Sequence, residues 1–305
     1  PQREETMSRI HDALKRAEQE RATSMGGQLE PALEQPELQP VGMPEHAHMQ
    51  TAVMPPIQGS SFSYESLLAR CPVSNWNPDT RTMLFFQEDE NRKGAEEFRT
   101  LRSRLYQIRE KLPLKRLMVT SALPKEGKSF VAANLAQVMV RQHGRRVLVI
   151  DADLRSPGMH RHLGASQTPG LSEYLMGECD EFAIMQRGPM DNLFFVPAGR
   201  QATGAPELLA NGRLKLFLQR VEPLFDWIIL DTPPVIPVAD STLLANFCEG
   251  VLMVVRSNST PSDLARRARE EFQDKLLLGV VLNGIPADQL PKSRYYYGEA
   301  VSSPA

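Results

Sequence analysis

The chain has 305 residues, a length that suits one large α/β domain with extensions or two small domains. Its 41% apolar and 24% charged residues are ordinary for a globular protein, and a net charge of −2 argues against a nucleic-acid partner. The three widely spaced cysteines match neither a disulfide framework nor a zinc site, which predicts a reducing, cytoplasmic compartment.

The N-terminal quarter of the chain is predicted to contain little folded structure. Residues 1–22 carry an amphipathic pattern that predicts a short helix, either solvated or docked to a partner. Residues 23–80 are rich in Pro, Gln and Met and poor in aromatics, which predicts a disordered linker. The charged first residues predict no signal peptide, and no apolar run reaches the roughly 18–20 residues of a membrane span.

An α/β domain is predicted over residues 81–290, followed by a flexible tail over 291–305. A first helix is expected from about 94 to 111, and strands and helices alternate after it. The strands are nearly continuous apolar runs, as in parallel strands covered on both faces. This alternation predicts a doubly wound, mainly parallel sheet with helices on both faces, a three-layer α/β/α architecture. The predicted strands cover 116–121, 147–151, 193–196, 227–231, 250–255 and 278–282, and later helices cover 207–221 and 262–272.

A phosphate-binding loop is predicted where the first strand turns into its helix. Residues 121–129 have the sequence SALPKEGKS, the P-loop pattern with Ala122 in place of the first glycine. Unpaired amides at a helix N-terminus cradle phosphates, while the loop lysine reaches the β- and γ-phosphates and the serine hydroxyl ligates Mg²⁺. The alternative is that Gly-Lys-Ser occurs here by chance, without binding a nucleotide. The strand predicted before it and the helix predicted after it argue against this alternative. The residues predicted to bind ATP are Pro124, Lys125, Glu126, Gly127, Lys128, Ser129 and Phe130.

Three aspartate side chains are predicted to lie close to this loop in the folded protein. Asp151 and Asp153 follow the second strand, and Asp231 ends a later one. The carboxyl ends of parallel strands face one crevice, so these side chains should meet there. Clustered carboxylates repel one another without a cation, and Mg²⁺ prefers oxygen ligands, so a metal-nucleotide site is expected. The i, i+2 spacing places Arg155 on the same face, where it would hold a transferring phosphate or an acidic partner group.

These motifs resemble those of a known family, the bacterial tyrosine kinases of capsule and exopolysaccharide export. The family belongs to the P-loop class that also contains the MinD and ParA ATPases. The resemblance covers residues 96–297 and is carried by three segments, ALPKEGKS, VLVIDADLRSP and WIILDTPP. Leu123 stands where the MinD and ParA proteins usually carry a signature lysine, a departure that is usual for the kinases.

Two further features resemble this family more specifically. Glu96, Arg99 and Arg102 match its oligomerisation motif and share roughly one helical face, although an ordinary salt-bridged surface would look the same. Tyr295, Tyr296 and Tyr297 lie together on a polar tail, where a packed core does not explain three adjacent aromatics. By resemblance they are phosphoacceptors, phosphorylated in trans within a ring of identical subunits.

The resemblance also implies roles for the site residues. Lys128 would stabilise the γ-phosphoryl group, and Mg²⁺ would be held by Ser129, Asp153 and Asp231. Asp151 would orient or deprotonate the acceptor hydroxyl, because a tyrosine of pKa about 10 needs such help. Asn283 resembles a position that contacts adenine in related ATPases.

The resemblance further implies partners and a location. They are a separate membrane-spanning activator or chain-length regulator and a cognate phosphotyrosine phosphatase. The chain itself would then be peripheral to the inner face of the plasma membrane. Two other functions stay open: a MinD/ParA-type positioning ATPase, and a nucleotide-dependent scaffold that controls a polysaccharide polymerase.

Overall fold

The computed structural model describes residues 62–71, 73–86, 92–142, 144–286 and 289. The predicted amphipathic helix over 1–22 and the tyrosine tail over 291–305 lie outside these residues. No helix in the described ranges combines the length and apolar character needed to cross a bilayer.

The described residues form ten α-helices and seven strands, with one short 3₁₀ helix at Glu222–Leu224. The strands are β1 (Arg116–Ser121), β2 (Val147–Asp151), β3 (Gln186–Arg187), β4 (Leu193–Val196), β5 (Trp227–Asp231), β6 (Gly250–Arg256) and β7 (Leu277–Asn283). The helices are α1 (Tyr64–Arg70), α2 (Ala95–Arg109), α3 (Lys128–Val140), α4 (Met159–Leu163), α5 (Leu171–Met176), α6 (Glu181–Ile184), α7 (Ala205–Ala210), α8 (Arg213–Val221), α9 (Asp240–Ala245) and α10 (Ser262–Glu270).

One sheet organises the domain, with the strand order β3-β4-β2-β5-β1-β6-β7. All its neighbours run parallel except the two-residue β3, which pairs antiparallel with β4. Separate apolar clusters cover the two faces, one centred on α3 and another built from α5, α7 and α8. The predicted doubly wound, mainly parallel architecture is therefore confirmed. In this order β1 lies between β5 and β6, and β5 also pairs with β2, so the strand ends that carry the predicted loop and aspartates are neighbours.

The helix after the phosphate-binding loop is deeply buried. Ten consecutive residues of α3, Val131–Val140, are buried, which is the behaviour of a helix that is covered on every side. Two of them are polar and bind the segment that precedes α2. Asn134 Oδ1 accepts the amide of Leu84 at 2.8 Å, and Gln137 Oε1 accepts the amide of Phe85 at 3.2 Å. These bonds satisfy buried backbone groups that no strand partner reaches.

The prediction of a disordered linker over 23–80 is wrong for its C-terminal part, which contains a helix. Helix α1 (Tyr64–Arg70) is ordered, with Ser63 as its N-cap and Leu67 fully buried against the core. Trp76 is also buried. Seven residues are too short for a helical period to be seen in the sequence, and the helix depends on tertiary packing rather than on its own propensity.

A second prediction also needs correction, because the helix expected over 207–221 is broken in two. Helix α7 ends at Ala210 and α8 begins at Arg213. Between them Gly212 has a φ of 84°, a left-handed conformation that interrupts the helix. The side chain of Asn211 donates a hydrogen bond to the carbonyl of Leu175 at 2.9 Å and fixes this break against α5.

Candidate functional site

The predicted phosphate-binding loop forms the N-terminus of α3. Gly127 caps the 13-residue helix with a φ of 95°. This φ is strained for any other residue, and a Cβ here would lie 2.1 Å from Nδ2 of Asn283, so the position favours glycine. Lys125 also has a left-handed conformation, with a φ of 65°, and like Pro124 it is exposed. The loop therefore presents the unpaired amides and the positive dipole end of a long helix, the arrangement that binds phosphate.

A lysine lies between two of the predicted carboxylates. Lys128 Nζ is 2.9 Å from Asp153 Oδ2, 3.8 Å from Asp231 Oδ1 and 3.5 Å from Ser129 Oγ. The side chains of the lysine and the two aspartates are only 12%, 4% and 1% exposed. The structure thus brings together four residues that the sequence analysis expected to meet. In a site of low dielectric these charges act more strongly than they would in water.

Asp231 has the feature expected of a metal-binding carboxylate. It is fully buried, and within the described part of the chain its two oxygens accept no well-formed hydrogen bond, although the Ser129 hydroxyl lies close enough to act on it. Burial raises its pKa to about 7, although Lys128 acts in the opposite direction. A buried carboxylate with free lone pairs is costly unless something else binds it. Together with the Ser129 hydroxyl and Asp153 it forms a set of oxygen donors that fits Mg²⁺.

Asp151 is fully buried and already hydrogen-bonded. Its Oδ2 accepts the amides of Gly158 and Met159 at 3.2 and 3.1 Å, and its Oδ1 accepts the amide of Asp153 at 3.2 Å. Burial nevertheless raises its pKa to about 6. The carboxylate therefore shapes the loop after β2, and its predicted role towards an acceptor hydroxyl stays a prediction.

Arg155 is bound to an aspartate that the sequence analysis missed. Its Nε and Nη2 donate to the two oxygens of Asp240 at 2.6 and 3.1 Å, a bidentate ion pair. Asp240 is 1% exposed and begins α9. In this structure the guanidinium is thus held by a buried acid, and the predicted contact with a phosphate stays untested. The only sequence signal for Asp240 is an acidic residue after the proline-rich turn that follows β5.

Asn283 contacts the phosphate-binding loop itself. Its Nδ2 donates to the carbonyl of Glu126 at 2.9 Å. Asn283 and Phe130 also line a cavity of about 360 Å³ between α2 and β7. Phe130 packs its ring against Phe98, with the centroids 5.8 Å apart. The predicted contact of Asn283 with adenine stays a prediction, and the cavity is a candidate place for the base.

The predicted oligomerisation residues lie on α2. Glu96 and Arg99 form an ion pair at 3.2 Å, whereas Arg102 is turned inwards and donates to the carbonyl of Val138 at 2.9 Å. The motif therefore has two parts. Glu96 and Arg99 form an ion pair on α2, and Arg102 connects α2 to α3 through a hydrogen bond.

Comparisons with known proteins identify relatives of this chain. A model of the AAA domain family matches residues 125–260, which include the last five residues of the loop, 125–129, and the three aspartates. Tyrosine-protein kinase YwqD of Bacillus subtilis is 33% identical over 205 residues, covering 67% of this chain and 86% of that protein. The chain belongs to the bacterial tyrosine kinase family.

Other relatives agree with this assignment. Tyrosine-protein kinase CpsD of Streptococcus agalactiae is 32% identical over 172 residues, covering 55% of this chain and 74% of that protein. The succinoglycan biosynthesis transport protein ExoP of Rhizobium meliloti is 34% identical over 181 residues, covering 58% of this chain but only 23% of that longer protein.

Two solved structures, one of them a bacterial kinase domain, share the fold. The chimerical protein CapA2B2 superposes with a TM-score of 0.64 at 27% identity, covering 73% of this chain and 97% of that one. The kinase domain of Escherichia coli tyrosine kinase ETK gives a TM-score of 0.61 at 27% identity, with 75% and 95% covered. These matches confirm the predicted P-loop architecture.

The contribution of Asp231 to the free energy of unfolding of the nucleotide-free protein is expected to fall as the pH rises from about 4 to about 7. The pKa of Asp231 is raised from 3.8 to about 7, so the folded protein favours the protonated form. This contribution is complete below pH about 4 and is lost as the pH passes about 7, a change on the order of 1 kcal/mol or more. Urea unfolding in EDTA at a series of pH values measures it.

Asp231→Asn serves as the control for this pH profile, because an amide does not titrate. Its stability should vary less over the same pH range. An equal slope in the variant and the wild type would assign the pH dependence to other groups.

Proposed function

We propose that this chain is an ATP-dependent protein-tyrosine autokinase that phosphorylates Tyr295, Tyr296 and Tyr297 of a neighbouring copy. The observation that carries the proposal is the placement of Lys128 between Asp153 and Asp231 at the N-terminus of α3. A metal-nucleotide complex needs this combination of one cation, oxygen ligands and free amides.

Each side chain of the site contributes in a way that its contacts support. The loop amides and Lys128 would bind the β- and γ-phosphates, while Ser129, Asp153 and Asp231 would hold Mg²⁺. When bound, Mg²⁺ neutralises charge on the phosphates and orients them. Asp151 orders the loop after β2, and as a second buried carboxylate of raised pKa it is also the candidate acceptor of the tyrosine proton. Positioning and charge neutralisation supply most of the catalysis in such transfers.

The partners follow from the same proposal. Transfer in trans needs an assembly of identical chains, for which Glu96 and Arg99 offer an ion pair on α2. A separate membrane-spanning activator or chain-length regulator would hold the kinase at the inner face of the plasma membrane, and a phosphotyrosine phosphatase would reverse the reaction. The relation to ExoP supports a place in the polymerisation and export of capsule or exopolysaccharide.

The test is incubation of the full chain with Mg-ATP, followed by intact-mass and peptide mass spectrometry. Phosphate should appear on the tail tyrosines and increase with time. Consumption of ATP without any labelled tyrosine, even with the cytosolic segment of a membrane activator added, would favour a positioning ATPase. Nucleotide binding with neither reaction would favour a scaffold.

A further inference from the structure

A buried carboxylate supports the phosphate-binding loop from behind. Glu126 is 3% exposed, and its Oε2 accepts the amide of Leu123 at 2.6 Å, which closes the loop on itself. Its Oε1 accepts the hydroxyl of Thr260. The Thr260 oxygen in turn accepts the amide of Arg256 at 3.1 Å. The carboxylate therefore ties the loop to the segment that follows β6.

The backbone on both sides of Glu126 has a conformation that needs such support. Lys125 and Gly127 have φ values of 65° and 95°. For Lys125 this left-handed geometry is strained and persists only where the surroundings hold it. The carbonyl of Lys125 accepts Nη1 of Arg256 at 3.4 Å, and that of Glu126 accepts Nδ2 of Asn283 at 2.9 Å. The ends of β6 and β7 thus hold the loop at three points.

We infer that Glu126 and Thr260 are a pair of positioning residues that keep the loop in its phosphate-binding shape before nucleotide arrives. The inference rests on the proposed function, because it assigns phosphate binding to this loop. When the loop amides are already ordered in the free protein, none of the binding free energy is lost in ordering them. A carboxylate suits this task, because its hydrogen bonds are charge-assisted and because losing a donor to a buried acid is costly.

Thr260 allows a sharp test, since valine removes only the hydroxyl and serine retains it. Calorimetric titration of the full chain with Mg-ADP should show about tenfold weaker binding for Thr260→Val and less than about twofold for Thr260→Ser. Ser259→Ala, next to it on the exposed surface, should bind as the wild type does. In tyrosine labelling, Thr260→Val should raise KM for ATP about tenfold and change kcat less than about threefold, because both ground and transition states use the loop.

Glu126→Gln and the double variant complete the test. The double variant should bind Mg-ADP no more than about twofold more weakly than the worse single variant, because both changes act on the same contact between Glu126 and Thr260. Unchanged affinity in Thr260→Val, or fully additive losses, would overturn the inference. So would a loss of Mg-ADP affinity in Thr260→Ser as large as that in Thr260→Val, since the hydroxyl would then not be the group that supports the loop.

The wild-type protein separates this inference from the proposed function. Mg-ADP binding without any tyrosine labelling would overturn the kinase proposal, while the comparison of affinities would still decide the role of Thr260. Failure of the wild type to bind Mg-ADP would overturn both.

Discussion

Replacing Lys128 by methionine is expected to lower tyrosine phosphorylation by about a thousandfold or more. Methionine keeps the length of the side chain but removes the cation that lies 2.9 Å from Asp153 and 3.8 Å from Asp231. Loss of one preorganised electrostatic contact in an active site costs roughly a hundred- to a thousandfold, and this one bears a full charge. Quantitative mass spectrometry of the labelled tail at saturating Mg-ATP measures the loss.

The same change has a second expected effect, on the free protein. Lys128 lowers the pKa of both Asp151 and Asp231 against the effect of their burial. Without the lysine these buried acids have lost their compensating cation, so the nucleotide-free variant should unfold at a lower temperature at neutral pH. Lys215→Met, which removes an exposed lysine from α8, is the matched control for both measurements. Retention of more than about a tenth of the wild-type rate by Lys128→Met would contradict the assigned role of the lysine.

Mixing two variants that do not label themselves is expected to restore tyrosine labelling. A Lys128→Met chain keeps the tail but cannot transfer phosphate, whereas a chain with Tyr295, Tyr296 and Tyr297 all changed to Phe keeps the site but has no acceptor. In the proposed trans reaction, each alone should show less than about a hundredth of the wild-type label, and the mixture should label only the Lys128→Met chain. A mass tag on one chain identifies the labelled molecule.

The controls for this experiment use tyrosines of the described domain. Tyr106→Phe removes a hydroxyl that accepts the indole N–H of Trp227 at 3.1 Å and should leave tail labelling intact. If the wild type labels itself but the mixture leaves the Lys128→Met tail unlabelled, transfer occurs within one chain. Label that persists in the triple phenylalanine variant would place the acceptor elsewhere.

The parts of the site that lie next to one another along the chain could be predicted from the sequence. A buried strand, a glycine-lysine turn and an apolar helix are local patterns, so the sequence predicts the loop from Ser121 to Ser129. Aspartates at strand ends were expected to meet for a general reason, since parallel strands present their carboxyl ends at one edge. The register confirms this at one point, where Asp151 and Asp231 are partners on adjacent strands.

The hydrogen-bond and ion-pair partners of the side chains in the site could not be predicted from the sequence, because they depend on the tertiary structure. Arg155 and Asp240 are 85 residues apart, and Glu126 and Thr260 are 134 apart, so no local pattern connects either pair. Asp151 and Asp153 look equivalent in the sequence, yet one accepts three backbone amides and the other binds Lys128. Periodicity reports which residues are buried but not which buried donor meets which acceptor.

The fold class, the phosphate-binding loop and the aspartate-bearing strands were therefore determined by the sequence itself, because they depend on local periodicity and on the geometry common to parallel sheets. Helix α1 at Tyr64–Arg70, the break at Gly212 and the hydrogen-bond partners of the site were determined only in the folded chain. Their free energy comes from contacts between residues distant in sequence, such as those of Leu67 in the core and of Asn211 with Leu175. Such contacts exist only when the sheet and its helices have assembled.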